Sequence, residues 1–262
     1  MRGFIICLID SYIMSYQKGQ HQKGIKNEVW MCQFLTEVNH YGCEVRHKGG
    51  TKVVEDGDTE NGDRVSIKKW KGATHDWYNS SPLAREIGLN DLIKPFIEQF
   101  KKDIKNVPVD EHETFRHQEE DKLKEVIAES LDEFCTQELA DAVLSNFISH
   151  TEGMDVAVTD VKHKKVHVYK FDEHPAVVYH NKGYKPVIVS KSGKKKCSRN
   201  IFMEKDGDRI DVGLRIRFTN NNGLKPYTQE GSPNKSTIGV IKLQQDGVKN
   251  ILESVDSVKY DS

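Results

Sequence analysis

An apolar stripe at helical spacing runs through residues 24–40, near the start of the chain. Its members are Ile25, Val29, Trp30, Phe34, Leu35 and Val38. A period of about 3.6 residues brings these side chains to one face, so we predict a helix over this range. Gly42 would end the helix, because glycine adopts the left-handed backbone angles found after helix ends without strain.

Helical spacing returns in the middle of the chain. Ser81-Pro82 predicts a helix start, with the serine as the cap and the proline at the first helical position. The apolar face that follows comprises Leu92, Ile93, Phe96, Ile97, Phe100 and Ile104. Pro95 lies within this face and should kink the helix or split it, since proline cannot donate the helical hydrogen bond.

A long acidic segment after Pro108 carries two more helical stripes. The first comprises Leu123, Val126, Ile127, Leu131 and Phe134, and the second comprises Leu139, Val143, Leu144, Phe147 and Ile148. We predict helices on both sides of a break near Cys135-Thr136, with the many charged residues on a solvated outer surface.

Alternating and β-branched stretches predict strands on both sides of this helical middle. Before it, we expect a strand at residues 43–47 and a hairpin of residues 51–56 and 64–70, with an acidic turn at 57–62 and a polar loop after the hairpin. After it, we expect strands at residues 155–159, 165–169, 176–179, 186–189, 210–218 and 237–245. The fold class is therefore predicted to be α+β, with a mostly antiparallel C-terminal part.

Charge is unevenly distributed, although the formal net charge of the 262-residue chain is only −1. Acids dominate between Glu98 and Asp141, whereas residues 182–199 contain none. The basic residues of that second stretch are Lys182, Lys185, Lys191, Lys194, Lys195, Lys196 and Arg199. This asymmetry favours one acidic solvated side and one face suited to a polyanion, with a plain solvated loop as the alternative for the basic run.

Composition and cysteine usage narrow the class of protein. With 36% hydrophobic and 30% charged residues, we expect a soluble protein with a real core. The five cysteines lack disulfide or metal-ligand spacing, which favours a reducing, cytoplasmic location. The apolar run at residues 3–9 is too short to span a membrane, and we expect residues 1–22 to be a dispensable extension.

The hairpin over residues 51–70 carries groups suited to a metal-dependent phosphodiesterase. Oxygen ligands hold Mg²⁺ best, and a nearby lysine can orient water and offset charge on the phosphate. Asp56 offers a carboxylate, while Ser66 and Lys68 share one face of the next strand because alternate strand residues do. An ordinary charged hairpin with a strand lysine is the alternative interpretation.

Several motifs, taken in their order, resemble type II restriction endonucleases of the PD-(D/E)XK superfamily. They are GIKNE at 24–28, GGTK at 49–52 with the acids after it, VSIKKWKG at 65–72, THDWYNSS at 74–81, GLRIRF at 213–218, STI at 236–238 and IKLQQD at 241–246. The resemblance extends from about Lys23 to Asp246 and implies a helix packed with a mixed sheet.

The resemblance implies roles for three residues. Lys68 would be the motif lysine beside the attacking water, Asp56 the first metal-binding aspartate, and Glu28 the helix glutamate that reaches the Mg²⁺ site. The acids that compete with Asp56 are Glu55, Asp58 and Asp63. For Glu28, the alternative is a solvated acid in the first helical turn, where the helix dipole favours it.

Ser66 departs from the family pattern, because a serine stands where the second acid of the motif belongs. A serine cannot replace the charge of a carboxylate ligand, so Glu28 or another acid would have to take that part. The short gap between Asp56 and Ser66 raises a second difficulty. A tight hairpin should pair Ser66 with a residue near Val53 rather than with Asp56.

Candidate DNA contacts lie mostly in the C-terminal part. The basic run would neutralise backbone phosphates, and arginine and glutamine are suited to reading guanine and adenine. The residues concerned are Lys194, Lys195, Lys196, Arg199, Arg215, Arg217, Gln244 and Gln245. A surface or sheet role is the alternative for each. His75, Asp76 and Asn79 are interpreted as loop structure or DNA contacts rather than as catalytic residues.

We therefore expect a Mg²⁺-dependent, sequence-specific double-stranded DNA endonuclease, acting as a monomer or homodimer and without a membrane partner. A metal-activated water would attack the phosphodiester directly. Residues 23–262 would form one domain, with a catalytic core at 23–107, a helical segment at 108–150 and a β-rich DNA-binding part at 151–262. The alternatives are a nicking or repair nuclease of the same fold and a non-catalytic nucleic-acid-binding protein.

Overall fold

The computed structural model describes residues 20–49, 55–70, 75–189, 197–220, 224, 238–245 and 257–260. The predicted α+β class is confirmed, since helices and two sheets make up the described chain. The chain divides into two compact units, Met1–Ala73 with His150–His174 and Lys249–Ser262, and Thr74–Ser149 with Pro175–Val248. The grouping of residues 23–262 into one domain stays a prediction.

The secondary structure alternates short strands with six helices of varied length in the described ranges. In chain order the elements are α1 (Gln20–Glu37), β1 (Val45–His47), β2 (Gly57–Thr59), β3 (Arg64–Trp70), β4 (His75–Ser80), α2 (Ser81–Glu86), α3 (Leu89–Asp103), α4 (His112–Phe134), α5 (Gln137–Thr151), β5 (Asp155–Asp160), β6 (Lys165–Lys170), α6 (Pro175–Asn181), β7 (Lys185–Val189), β8 (Ser198–Lys205), β9 (Asp208–Asn220), β10 (Gly239–Gln245) and β11 (Ser257–Lys259). Short 3₁₀ turns lie at Ile104–Asn106, Val109–Glu111 and Phe171–Glu173.

The first unit is a mixed six-stranded sheet with α1 packed against it. The strand order is β1-β2-β3-β5-β6-β11, and only β3 and β5 run parallel among these pairs. The apolar stripe of α1 is buried against alternate residues of the central strands. This core comprises Met31, Cys32, Phe34, Leu35, Val45, Val65, Ile67, Ala157 and Val166. Because Val65 and Ile67 face α1, Ser66 and Lys68 point to the other face of β3.

The second unit contains an antiparallel five-stranded sheet in the order β4-β10-β9-β8-β7. One face is apolar, with Ile241 opposite Phe218 and Leu243 opposite Ile216. Phe134 of α4 stacks on Phe218 with ring centroids 6.4 Å apart, so helix packing covers this face. The other face of β10 and β9 is polar.

A β-bulge separates the polar and apolar residues of β4. Tyr78 pairs with Leu243 and Asp76 with Gln244, so Trp77 is the extra residue. Trp77 packs edge-on against Phe147 at 5.1 Å, while the Tyr78 hydroxyl donates to the carbonyl of Val143 at 2.9 Å. Two successive aromatic side chains therefore reach the helical side, because a bulge interrupts the alternation of an ordinary strand.

The observed elements differ from the predicted ones at four places. Residues 176–179 form part of α6 instead of a strand, because Pro175 occupies the first helical position and Ala176 and Val177 are buried. Strand β4 was expected to be a loop, since its polar residues conceal the pairing with β10. Strand β8 was not predicted, and the expected turn at 57–62 contributes its first half to β2.

Pro95 does not split the helix that contains it, since α3 runs unbroken from Leu89 to Asp103. The break lies earlier, at Gly88, whose φ of 80° is left-handed and costs glycine little. Pro95 is exposed, so the carbonyl that lacks its N–H partner lies on the solvated side, where water can satisfy it.

The N-terminal cap of helix α2 is Ser80 and not the predicted Ser81. The Ser80 hydroxyl accepts a hydrogen bond from the Leu83 N–H at 3.2 Å. We expect Ser80→Ala to lower the free energy of unfolding by about 1 kcal/mol. Ser81→Ala is the matched control and should change it by less than about 0.5 kcal/mol. Equal losses in urea unfolding midpoints would contradict this assignment of the cap.

Candidate catalytic site

The first unit brings Asp56 next to Ser66 and Lys68. The Asp56 backbone N–H donates to the carbonyl of Val65 at 2.9 Å, and its Oδ2 accepts from the Ile67 N–H at 2.6 Å. The Ser66 hydroxyl lies 3.5 Å from the same oxygen. The expectation that Ser66 would pair near Val53 instead is therefore wrong. The β2–β3 register, with Gly57 opposite Val65, brings Asp56 alongside Ser66.

Lys68 is the cation of this site. Its Nζ lies 3.8 Å from Asp56 Oδ2, and its side chain is only 15% exposed. Lys68 pairs in register with Val158 of β5, so a neighbouring strand covers one side of β3 at this point. The lysine is thereby held in a setting where water screens charge poorly, which strengthens its field at neighbouring atoms.

Glu28 contacts a residue that the sequence interpretation missed. Glu28 Oε2 lies 3.1 Å from His47 Nε2, which joins α1 to the end of β1. Gly49 turns the chain directly beside this imidazole. A Cβ at Gly49 would clash with the His47 ring, so a larger residue would displace the histidine. The only sequence signal for His47 was its place at a strand end before a glycine pair.

The electrostatics link Asp56 to Glu28 and Lys68. Burial raises the pKa of Asp56 above its usual range, and the negative charge of Glu28 raises it further. Lys68, the Ile67 N–H and His47 act in the opposite direction. The carboxylate is thus a partly desolvated group that depends on nearby positive charge to stay ionised.

His150, at the end of α5, is a second histidine of this site that the sequence interpretation missed. Burial lowers its pKa first and Lys68 lowers it further, whereas Asp56 raises it. The neutral imidazole is therefore favoured near these two charged residues. Its place at the end of an acidic helix gave no sign of this, because the link to Lys68 exists only in the folded chain.

Cys32 closes the α1 side of the site and is not a nucleophile. A Cβ on Gly57 would lie 3.0 Å from its Sγ, so the chain approaches the thiol closely. Burial, and then the charges of Asp56, Glu28 and Asp58, raise the pKa of Cys32 to about 12. The thiol therefore stays protonated near neutral pH and packs as a small apolar group.

The acids that competed with Asp56 have other partners. Asp58 accepts from Lys48 at 2.8 Å and lies 3.5 Å from Arg46, while Asp63 accepts from the Thr59 hydroxyl at 2.8 Å. These contacts stabilise the turn and the β1–β2 pair. Asp56 is thus the strongest of the candidate carboxylates to work with Lys68.

The oxygen atoms of Asp56, Glu28 and Ser66 are ligands of the type that Mg²⁺ prefers, but they do not make a complete coordination shell. Within the described ranges, no three His, Cys, Asp or Glu side chains are grouped as metal ligands. Mg²⁺ is usually held by one or two carboxylates, with waters and substrate phosphates completing its shell. Asp56 and Glu28, whose negative charge acts on Asp56, fit that smaller requirement, and Ser66 adds a neutral oxygen beside Asp56.

The second unit separates the predicted DNA-contacting residues into two groups. Arg215, Arg217 and Gln244 lie on the polar sheet face. Arg199 and Gln245 are buried on the packed face, where Arg199 pairs with Asp132 at 3.1 Å and Gln245 donates to the Val212 carbonyl. This burial and these contacts favour the alternative sheet role for both side chains. Lys194, Lys195 and Lys196 lie outside the described residues.

Comparisons with protein-family models, curated proteins and solved structures give no match. Within the part of the chain that the structure describes, no helix has the length and apolar character to cross a membrane. The function is therefore inferred from the geometry of each unit.

The raised pKa of Asp56 predicts a pH-dependent gain in stability for Asp56→Asn. The folded state binds this proton more tightly than the unfolded state, so wild-type stability falls as pH rises from the ordinary aspartate pKa through the raised one. Asparagine avoids this loss and can still accept from the Ile67 N–H. The gain should be absent at pH 3 and greatest above the raised pKa.

Thermal or urea unfolding across pH measures this difference. Asp172→Asn, which removes an exposed carboxylate of the same unit, controls for the loss of one charge. An Asp56→Asn variant that is less stable than wild type at neutral pH would show that Lys68 and the Ile67 N–H outweigh burial.

Proposed function

We propose that this protein is a Mg²⁺-dependent, sequence-specific double-stranded DNA endonuclease similar to type II restriction enzymes of the PD-(D/E)XK superfamily. The observation that carries the proposal is the Asp56–Lys68 pair, 3.8 Å apart at neighbouring strands. Glu28 supports it, because its charge acts on the same Asp56 carboxylate. The α1 helix and the mixed sheet agree with the core that the resemblance implies.

The chain's own groups divide the work of phosphodiester hydrolysis. When bound, Mg²⁺ supplies charge neutralisation at the phosphate and acidifies a water molecule. Asp56 and Glu28 hold negative charge where the cation is needed, and the Ile67 N–H orients the Asp56 carboxylate. The Lys68 ammonium offsets charge that develops on the phosphoryl oxygens and orients the attacking water.

Ser66 determines which acid completes this arrangement. Its hydroxyl donates towards Asp56 and carries no negative charge, so a second carboxylate has to come from another element. Glu28 of α1 is that carboxylate in our proposal; it contacts His47 in this structure and would hold the cation together with Asp56. A non-catalytic nucleic-acid-binding protein is the second candidate function, and the serine at position 66 is the observation that favours it.

Plasmid cleavage tests the proposal. Supercoiled DNA incubated with the protein and Mg²⁺ should give discrete fragments, and Lys68→Ala should lower the rate by about a hundredfold to a thousandfold, since one charge-stabilising contact is lost. Lys69→Ala is the matched control, because Lys69 is the exposed neighbour on the opposite face of β3. Binding measured by gel shift should survive both substitutions.

Other outcomes separate the alternatives. Nicked circles alone would favour a nicking or repair nuclease. Intact plasmid with a salt-sensitive gel shift would favour the non-catalytic protein. Full activity of Lys68→Ala would show that the assignment of the site is wrong.

Glu28→Gln tests the replacement of the missing acid. It removes one charge but keeps the length and hydrogen-bonding shape of the side chain, so fold stability should change little. Cleavage should fall by tenfold or more at low Mg²⁺, and added Mg²⁺ should recover part of it, because a lost ligand weakens ion binding. The Mg²⁺ dependence of the initial rate measures both effects. Normal cleavage at all Mg²⁺ concentrations would exclude Glu28 as the substitute.

A further inference from the structure

The polar face of the second sheet contains a hydrogen-bonded row across three strands. Arg215 of β9 donates from Nη2 to Gln244 Oε1 of β10 at 3.1 Å, and Gln244 Nε2 donates to Asp76 Oδ1 of β4. Lys242, two residues before Gln244 on the same strand, lies 3.7 Å from Asp76 Oδ2. The row thus lies at one edge of the sheet.

Gln244 is the fixed centre of this row. Its side-chain oxygen faces an arginine and its NH₂ group faces a carboxylate, and only this orientation of the amide satisfies both partners. Gln244 is also only 6% exposed. A glutamine that reads adenine has to present both amide atoms to the base, so Gln244 cannot do so here. It is a positioning residue.

Asp76 is the residue of the row that requires an explanation. Its side chain is 49% exposed and lies 3.7 Å from Lys242, on the sheet face that also carries Arg215 and Arg217 and on which we expect DNA to bind. An exposed carboxylate repels backbone phosphates, so it does not serve general DNA affinity. A carboxylate can, however, accept a hydrogen bond from the N4 amino group of cytosine.

From this arrangement we infer that Arg215 and Asp76 together read one G·C base pair in the major groove, with Gln244 holding them in place. The inference rests on the proposed function. The Arg215 guanidinium presents two donors, which match the guanine acceptors N7 and O6. The Asp76 carboxylate presents an acceptor, which matches the cytosine N4 amino group. In an A·T pair, the adenine N6 amino group, a donor, takes the place of guanine O6. The guanidinium would then place a donor against a donor. The outer strands of the row lie about 10 Å apart, within the roughly 12 Å width of the groove.

A selection of bound duplexes tests this inference. The full-length protein carrying Lys68→Ala, which should bind without cutting, is incubated with random-sequence duplexes and Mg²⁺, and the bound DNA is sequenced. The enriched site should contain a required G·C pair. Adding Asp76→Asn should lower the preference for that pair over A·T by about tenfold to a hundredfold, the size of one base-edge contact. Arg215→Lys should relax the same position, because lysine lacks the two-donor fork.

Asp206→Asn is the matched control and should leave the selected site unchanged. It makes the same chemical change at the β8–β9 turn, where the backbone φ of 51° is tolerated by asparagine. The inference is overturned if neither Asp76→Asn nor Arg215→Lys relaxes the selected site, or if the two variants relax different positions. Either result leaves the nuclease proposal intact. Absence of DNA binding by the correctly folded protein overturns both.

Discussion

The parallel pairing of β3 with β5 is the contact on which the candidate site depends. It joins Val65 to Asp155 and continues to Trp70 and Asp160, across the stretch Thr74–Ser149 that belongs to the second unit. Without β5, β3 would be an edge strand and Lys68 would be solvated. With β5 in place, Lys68 is paired with Val158 and its side chain is only 15% exposed, so its charge acts on Asp56 with little screening.

The charges around β3 nearly balance, and Ser66 contributes to that balance. Burial raises the pKa of Asp56, and Lys68 limits the rise. An acid at position 66 would put a second negative charge near an oxygen that Ser66 now reaches at 3.5 Å, and the two like charges would repel. Under the proposed function the second carboxylate comes from Glu28 on α1, so no second acid stands beside Asp56 at position 66. The site therefore differs from the motif in a way that its electrostatics can accommodate.

In the second unit, the β-bulge in β4 determines which of its side chains lie on the polar sheet face. The bulge at Trp77 sends two aromatic residues towards the helices and leaves Asp76 on the polar face, in register with Gln244. An ordinary alternation would have sent either Trp77 or Tyr78 to the polar side. Asp76, Gln244 and Arg215 can form a row across three strands because the bulge sets the register of the edge strand.

Local patterns were sufficient for much of the architecture. Helical stripes predicted α1, α3, α4 and α5, and alternation predicted the β5–β6 hairpin and the strands β7, β9 and β10. These predictions hold because a repeated apolar face is a property of neighbouring residues. Strand β4 and helix α6 were misassigned, since a distant pairing partner determined the first and a proline with local burial determined the second.

The sequence by itself determined the α+β class, the identity of Lys68 as the candidate lysine and the anomaly at Ser66. Tertiary structure alone decided which acid accompanies Lys68. In the sequence, Asp56, Asp58 and Asp63 are equivalent candidates, and they differ only in the residues that the folded chain places beside each carboxylate. It also introduced His47 and His150 to the site and removed Arg199 and Gln245 from the polar sheet face. The physical reason is the same in each case. Charge interactions and burial depend on distances between residues far apart in the chain, and no local pattern encodes those distances.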